Sequence, residues 1–318
     1  MKKINLNDFD VVVIQKQTAL ERYTRRNINI DFLDYLSQDI QNKDKLDSAH
    51  KEHVESRRVL LEKLNQLNLS FVLLNLDELK ENQLSFFSEN SLLSGIRPKK
   101  KVVISLGGDG TLLHASHHVG EDIQLLGINS CPDHSVGHLC AAVSKKTDEI
   151  LEKVFVDKKV RTQLVNRLRV KLKDHENIPL ALNDILVSHL HPAATSRYKI
   201  SILDESHKVT QVEKHFSSGL WISTAAGSTA AIASYGFLPE PLDSTKILVA
   251  CREPYALNGH ANELNKFSID GQSQSLCLFS RMRQGLVCLD GPDFSVQFGF
   301  GETIDVSSPK NAALNLIY

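Results

Sequence analysis

The chain has no surplus of charge. Its 37 lysines and arginines balance 38 aspartates and glutamates, a formal net charge of −1 over 318 residues. A chain so balanced has no general attraction for nucleic acid or an anionic membrane, so any anion must be held by a local site. Cysteine is scarce: Cys131, Cys140, Cys251, Cys277 and Cys288 are an odd number and form no CxxC pair. They read as reduced thiols in a cytoplasmic protein, and the opening MKKINLNDFD has no apolar signal core. No apolar run approaches the roughly 18 residues needed to span a bilayer, so no membrane partner is expected. Also missing are a GxxxxGK[ST] loop, a GxGxxG after a strand and an HExxH pair. Their absence argues against an ordinary P-loop NTPase, a Rossmann dehydrogenase and a zinc-bound helix pair.

What is present begins with an apolar run, Val102 to Leu106, that leads directly into Gly107, Gly108, Asp109, Gly110 and Thr111. A buried strand ending in a glycine-rich turn and entering a helix, here from about Thr111, brings backbone N–H groups and a helix dipole to one point. Glycine can adopt positive φ and lets main-chain donors approach a phosphate oxygen closely. Asp109 is out of place in an anion cradle. It either takes a proton from an attacking hydroxyl or serves as an ordinary helix N-cap.

At 318 residues the chain exceeds the size at which single cores stop growing, roughly 250–300 residues, so two domains are expected. In the first, taken as residues 1–140, strands are expected at Asp10 to Ile14, Phe71 to Leu74, Val102 to Leu106 and Leu125 to Ile128. An amphipathic helix is expected from about Asp47 to Leu67, after a polar segment from Glu21 to Lys45, and a loop contains Ser94-Gly95 and Pro98. The alternation indicates an α/β domain with an open parallel sheet, whose ligands lie at strand carboxyl ends. Residues 141–318 open with a short helix from Thr147 to Phe155. Short strands follow: Leu168 to Leu172, Ile185 to Val187, Tyr198 to Leu203, Leu220 to Ser223, Ile247 to Cys251, Leu286 to Leu289, Ser295 to Phe298 and Thr303 to Val306. Their density indicates a β-rich, antiparallel domain, and the cleft between domains is the expected site.

Three further segments bear on chemistry. The small, hydroxyl-rich Ser223–Ala231 follows the apolar Leu220-Trp221-Ile222 and is expected to open a helix through Ser234; it suits a flat ring or a phosphate, or else is simply a tight helix packed through its alanines with a serine N-cap. Asn183-Asp184 can hold sugar hydroxyls or simply form a turn. His114, His117 and His118 share a helix face, but no nearby carboxylate completes a metal-ligand set, so no metal ligand is assigned. His134 and His138 flank Gly137 in a loop after the Leu125 strand.

Together these segments resemble the NAD kinase family. The resemblance rests on GGDGTLLHAS at 107–116, GIN at 127–129, GHL at 137–139, ALND at 181–184, SGLWISTAAGSTAA at 218–231 and LDG at 289–291. They occur in order over about the last two thirds of the chain, and ALNDILV, PAATSRY, STAAGSTAA and ACREP look most like the plant-type NADH kinase branch. The resemblance implies an α/β domain plus a β-sandwich whose chain end returns to the first domain. It also implies transfer of the γ-phosphoryl of ATP, with Mg²⁺ or another divalent cation, to the 2′-hydroxyl of the adenosine ribose of NAD or NADH. On this reading Asp109 is the general base, and Gly107, Gly108, Gly110 and Thr111 contact phosphate. Asn183 and Asp184 hold the dinucleotide, whose ends are surrounded by Thr224, Ala225, Gly227, Ser228, Thr229, Ala230 and Ala231. The expected assembly is a homo-oligomer, dimer or tetramer.

The chain departs from the commoner family spelling at several points. Asn183-Asp184 replaces NE, Ser218 replaces the aspartate of DGL, Ala231 replaces a tyrosine, and Ser234-Tyr235-Gly236-Phe237 replaces SAGG. A missing carboxylate near 218 leans toward NADH over positively charged NAD. Two rivals are a lipid kinase, which also uses GGDGT but with an asparagine-glutamate pair close behind it, and a dinucleotide-binding regulator without catalysis.

Overall fold

A computed structural model describes residues 9–25, 40–81, 101–120, 122–256 and 262–318. The loop containing Ser94-Gly95 and Pro98, and residues 26–39 of the polar segment, lie outside them. The chain divides into two compact units, Met1–Thr162 with Asn315–Tyr318, and Gln163–Leu314.

In the first unit, β1 (Val11–Gln15), β2 (Phe71–Asn75), β3 (Val102–Gly107), β4 (Gln124–Asn129) and the short β5 (Ala142–Val143) pair in parallel. The division falls in β6 (Thr162–Val165). The sheet order is β2-β1-β3-β4, followed by a strand from the chain end, Leu314–Ile317, and then β6. The end strand lies parallel to β4, with Leu316 opposite Leu125. Every residue of β1 and β3 is buried, as in a parallel sheet covered on both faces. The helices are α1 (Ala19–Arg25), α2 (Ile40–Gln66), α3 (Leu76–Glu81), α4 (Asp109–Ser116) and α5 (Thr147–Leu151), the last running into a π-turn at Glu152–Val156. On α2, Leu60 and Leu64 lie one turn apart and pack with Val11, Val13, Val102, Ile104 and Leu106, so the helix buries one stripe on the sheet. No helix among the described residues is long and apolar enough to cross a membrane.

The second unit is antiparallel. One sheet runs β10-β9-β14-β17-β7, from β7 (Arg169–Leu172), β9 (Ser196–Leu203), β10 (Val209–Ser217), β14 (Ser275–Ser280) and β17 (Thr303–Ser307). The other runs β13-β12-β11-β8-β15-β16, from β8 (Asp184–His189), β11 (Gly219–Ser223), β12 (Lys246–Arg252), β13 (Lys266–Asp270), β15 (Gly285–Leu289) and β16 (Phe294–Phe298). The end strand Leu314–Ile317 is β18. Apolar residues alternate along these strands, and those of both sheets meet in one core that includes Val170, Ile200, Leu278, Ile185, Ile222 and Val249. This is a β-sandwich. The expected fold class, an α/β unit with an open parallel sheet plus a β-rich unit, is the one found.

Candidate functional site

The glycine turn sits where β3 ends. Gly108 is the N-cap of α4 (φ −96°, ψ −167°) and Asp109 is the first helical residue, so Asp109 is not the cap and the helix starts two residues earlier than expected. The expected left-handed glycines are also absent here. Positive φ occurs at Gly137, Gly219, Gly236, Gly291 and Gly301, and at none of Gly107, Gly108 and Gly110. The chain passes from strand to helix on ordinary dihedrals, and glycine is needed for space instead. A Cβ on Gly107 would lie 2.2 Å from Thr111 Oγ1, and one on Gly108 would lie 2.9 Å from Ser135 Oγ. A Cβ on Gly110 would meet nothing within 4 Å. Thr111 itself is buried, and its N–H donates to the Gly108 carbonyl at 3.1 Å.

The Asp109 carboxylate is tied to the loop after β4. Its Oδ2 accepts the N–H of His138 and its Oδ1 that of Leu139, each at 2.9 Å. The GIN asparagine, Asn129, shapes that loop: its Nδ2 donates to the Ser135 carbonyl, and its Oδ1 accepts Cys131 N–H and the Ser135 hydroxyl. Gly137 is left-handed (φ 68°), and a Cβ there would lie 2.6 Å from Asn129 Nδ2. GIN and GHL therefore form one clamp on Asp109, and His138 contributes its backbone. Sequence reasoning recorded both motifs without finding this role for Asn129. Burial, and then the Asp109 charge, push the nearby Cys140 thiol up to about 12, so it is no nucleophile. The rings of His114 and His117 stand 6.0 Å apart. Among the described residues no three His, Cys, Asp or Glu side chains converge to hold a metal ion.

The remaining predicted residues belong to the second unit, where three motifs meet around the Asn183 turn. The Asn183 carbonyl accepts Thr224 N–H at 2.9 Å and the Ser223 hydroxyl at 3.0 Å. Thr224 Oγ1 donates to the Leu182 carbonyl at 2.5 Å and accepts Gly227 N–H at 3.2 Å. A Cβ on Gly227 would lie 2.2 Å from the Asn183 carbonyl oxygen, so only glycine fits. Ser228 Oγ accepts Glu240 N–H. Thr224, Ala225, Gly227 and Ser228 are buried and build the turn, whereas Thr229 and Ala231 are exposed and Ala230 is half-buried. Instead of the expected α-helix through Ser234, two 3₁₀ segments, Ala226–Thr229 and Ala231–Tyr235, end at left-handed Gly236. Asn183 Oδ1 is buried without a hydrogen-bond partner.

Asp290, the LDG aspartate, is the residue sequence reasoning missed. One carboxylate oxygen accepts Leu182 N–H at 2.7 Å, and the other accepts Asn183 and Asp184 N–H at 2.7 and 3.0 Å. Its own N–H donates to the Asp184 carbonyl at 2.9 Å, with Asp290 itself left-handed (φ 51°). Burial, and then the Asp290 charge, raise the Asp184 carboxyl to about 7. Ser218 Oγ donates to the Glu253 carboxylate. A carboxylate therefore stands beside position 218 after all, supplied from the end of β12, and the charge argument for NADH over NAD loses its basis.

Residues 11–160 match the ATP-NAD kinase N-terminal domain. A probable NADH kinase of Oryza sativa subsp. japonica is 35% identical over 225 residues, covering 65% of this chain and 68% of that protein. The NADH kinase of Arabidopsis thaliana is 34% identical over 246 residues, covering 70% and 74%. Among solved structures, an NAD kinase from Archaeoglobus fulgidus in complex with ATP aligns with a TM-score of 0.62 at 17% identity, over 97% of this chain and 93% of that one. Yeast NADH kinase complexed with NADH aligns with a TM-score of 0.64 at 16% identity, over 97% and 83%. At such identities the structures speak for the fold alone. The two plant proteins speak for descent: the chain belongs to the NAD kinase family.

Proposed function

We propose that the protein transfers the γ-phosphoryl of ATP to the 2′-hydroxyl of the adenosine ribose of NADH or NAD, giving NADPH or NADP. The observation that carries this reading is the Asp109 carboxylate, placed at the start of a helix and fixed by two backbone N–H groups. Phosphoryl transfer has a loose transition state with charge on the phosphoryl oxygens, so the protein's work is alignment and charge stabilisation. With the Thr111 N–H already given to the Gly108 carbonyl, the first turn of α4 offers the N–H groups of Asp109 and Gly110 ahead of it, and the open space above Gly110 admits a phosphate. Asp109 accepts the ribose hydroxyl proton as the new O–P bond forms. The unpartnered Asn183 Oδ1 supports a role in receiving a hydroxyl or amide proton of the dinucleotide. The divalent cation, Mg²⁺ by this reading, would enter with the triphosphate and would supply charge neutralisation there. The protein acts in the cytoplasm as a homo-oligomer, dimer or tetramer. The relatives lend no support to a lipid kinase or to a regulator without catalysis.

The test is paired initial rates with NAD and NADH at matched MgATP, for the native chain and Asp109→Ala. The native chain should form NADP or NADPH. The variant should lose at least about a hundredfold in kcat, the lower range for a positioned base, while still binding NADH. Turnover near the native value in Asp109→Ala would refute the assignment.

A further inference from the structure

Asp184 heads β8 and is buried to 8% exposure. β11 places Ser223 opposite it and β15 places Leu289 opposite Ile185, neither of them charged. The turn after β15 brings Asp290, the charged group that acts on it. Asp290 itself is anchored by three consecutive backbone N–H groups, an arrangement that fixes its carboxylate in place. A second carboxylate beside a fixed one cannot ionise freely in a buried site.

We infer that Asp290 is a positioning residue for the dinucleotide site, which holds the Asn183 turn and, adding to the effect of burial, makes Asp184 meet the ligand as a neutral, proton-bearing carboxyl. The inference rests on the function proposed above. A neutral carboxyl can donate to a ribose oxygen as well as accept from a hydroxyl, and it does not repel the pyrophosphate of a dinucleotide. The direction is supported by the Asp184 carboxyl standing near 7 rather than 3.8. The competent form is then the major one below neutrality and is lost as pH rises through about 7.

NADH binding to the full chain, followed by the fluorescence of the dinucleotide without ATP, tests this between about pH 6 and about pH 8.5. The native Kd should rise toward tenfold per pH unit above neutrality, because only the protonated fraction is competent. Asp184→Asn, whose amide never ionises and which keeps the three bonds to Asp290, should give a Kd independent of pH. Asp290→Asn should bind more weakly and move the rise to lower pH. A native pH dependence retained in Asp184→Asn overturns the inference, as does an Asp290→Asn protein with native affinity and inflection. Should Asp290→Asn fail to fold, Asp184→Asn decides alone. Conversion to NADPH on adding MgATP is read separately: binding that titrates as described with no conversion defeats the proposed reaction, whereas conversion with pH-independent binding defeats this inference.

Discussion

Replacing Gly227 with alanine perturbs one point at which ALND and STAAG touch. The new Cβ would lie 2.2 Å from the Asn183 carbonyl oxygen, 2.4 Å from Ser223 Oγ and 2.7 Å from the Asn183 carbonyl carbon. To restore even 3.0 Å, the turn must open by about 0.8 Å. That carbonyl accepts Thr224 N–H at 2.9 Å and Ser223 Oγ at 3.0 Å, and an added 0.8 Å ends both bonds. Two hydrogen bonds cost about 1 kcal/mol each, and overpacking adds roughly 1–3 kcal/mol, so the second unit should lose roughly 3–5 kcal/mol. For a unit of about this size the midpoint should fall by roughly 6–20 °C, at 2–4 °C per kcal/mol. Calorimetry of the full chain reads the transition, and NADH titration reads whether the Asn183 turn has shifted. A midpoint within about 2 °C of native, with native affinity, would show that the turn yields freely and that the three motifs are not locked together.

Gly110→Ala is the converse, since its Cβ meets no protein atom within 4 Å. Stability should be unchanged or gain up to about 1 kcal/mol from helix propensity, while KM for ATP rises; an unchanged KM would remove the phosphate from that space. His53 on α2 is fully buried, with Nδ1 2.9 Å from Ser130 Oγ. Burial first, and then the Lys16 charge, lower it from 6.5 to about 4. The neutral ring therefore contributes stability that is complete above pH 6.5 and is lost as pH falls to about 4, on the order of 3 kcal/mol. Urea unfolding of His53→Gln at several pH values should show that slope flattened, and an unflattened slope would assign the acid loss elsewhere.

The elements legible in the sequence were those whose pattern is local. β3 is four apolar residues, a buried serine and a glycine, and its end was readable because nothing apolar follows until α4 has turned. α2 was readable from about Asp47, where apolar residues recur at helical spacing. Its first turns, Ile40 to Leu46, are mostly polar and give no such signal. β10 escaped because it is a sheet edge whose first four residues are all exposed, so no alternation marks it. The helix expected through Ser234 was a propensity argument. It was overridden by the bond from the Thr224 hydroxyl to the Leu182 carbonyl, 42 positions earlier in the chain. The role of Asp290 was equally hidden, because an aspartate-glycine pair after a strand looks like any turn until its partners, 106 to 108 residues away, are known.

The glycine-turn aspartate was ambiguous between helix cap and base, and the accounting of lone pairs separates the two. An ionised carboxylate has about four acceptor positions. A capping aspartate directs one at the N–H groups of its own first turn; here Gly108 holds the cap position and no side-chain cap bond is made. Asp109 instead receives one N–H on each oxygen, both from a loop 29 and 30 residues later. Asp290 receives three, from consecutive residues of one turn, and its geometry is that of a staple. Asp109 is half-buried and holds each oxygen by a single bond, so the carboxylate is oriented while a second lone pair on each oxygen remains for a hydroxyl. Orientation without saturation is what a general base requires and what a cap or a staple does not need, and it makes Asp109 the residue whose removal should cost turnover before stability.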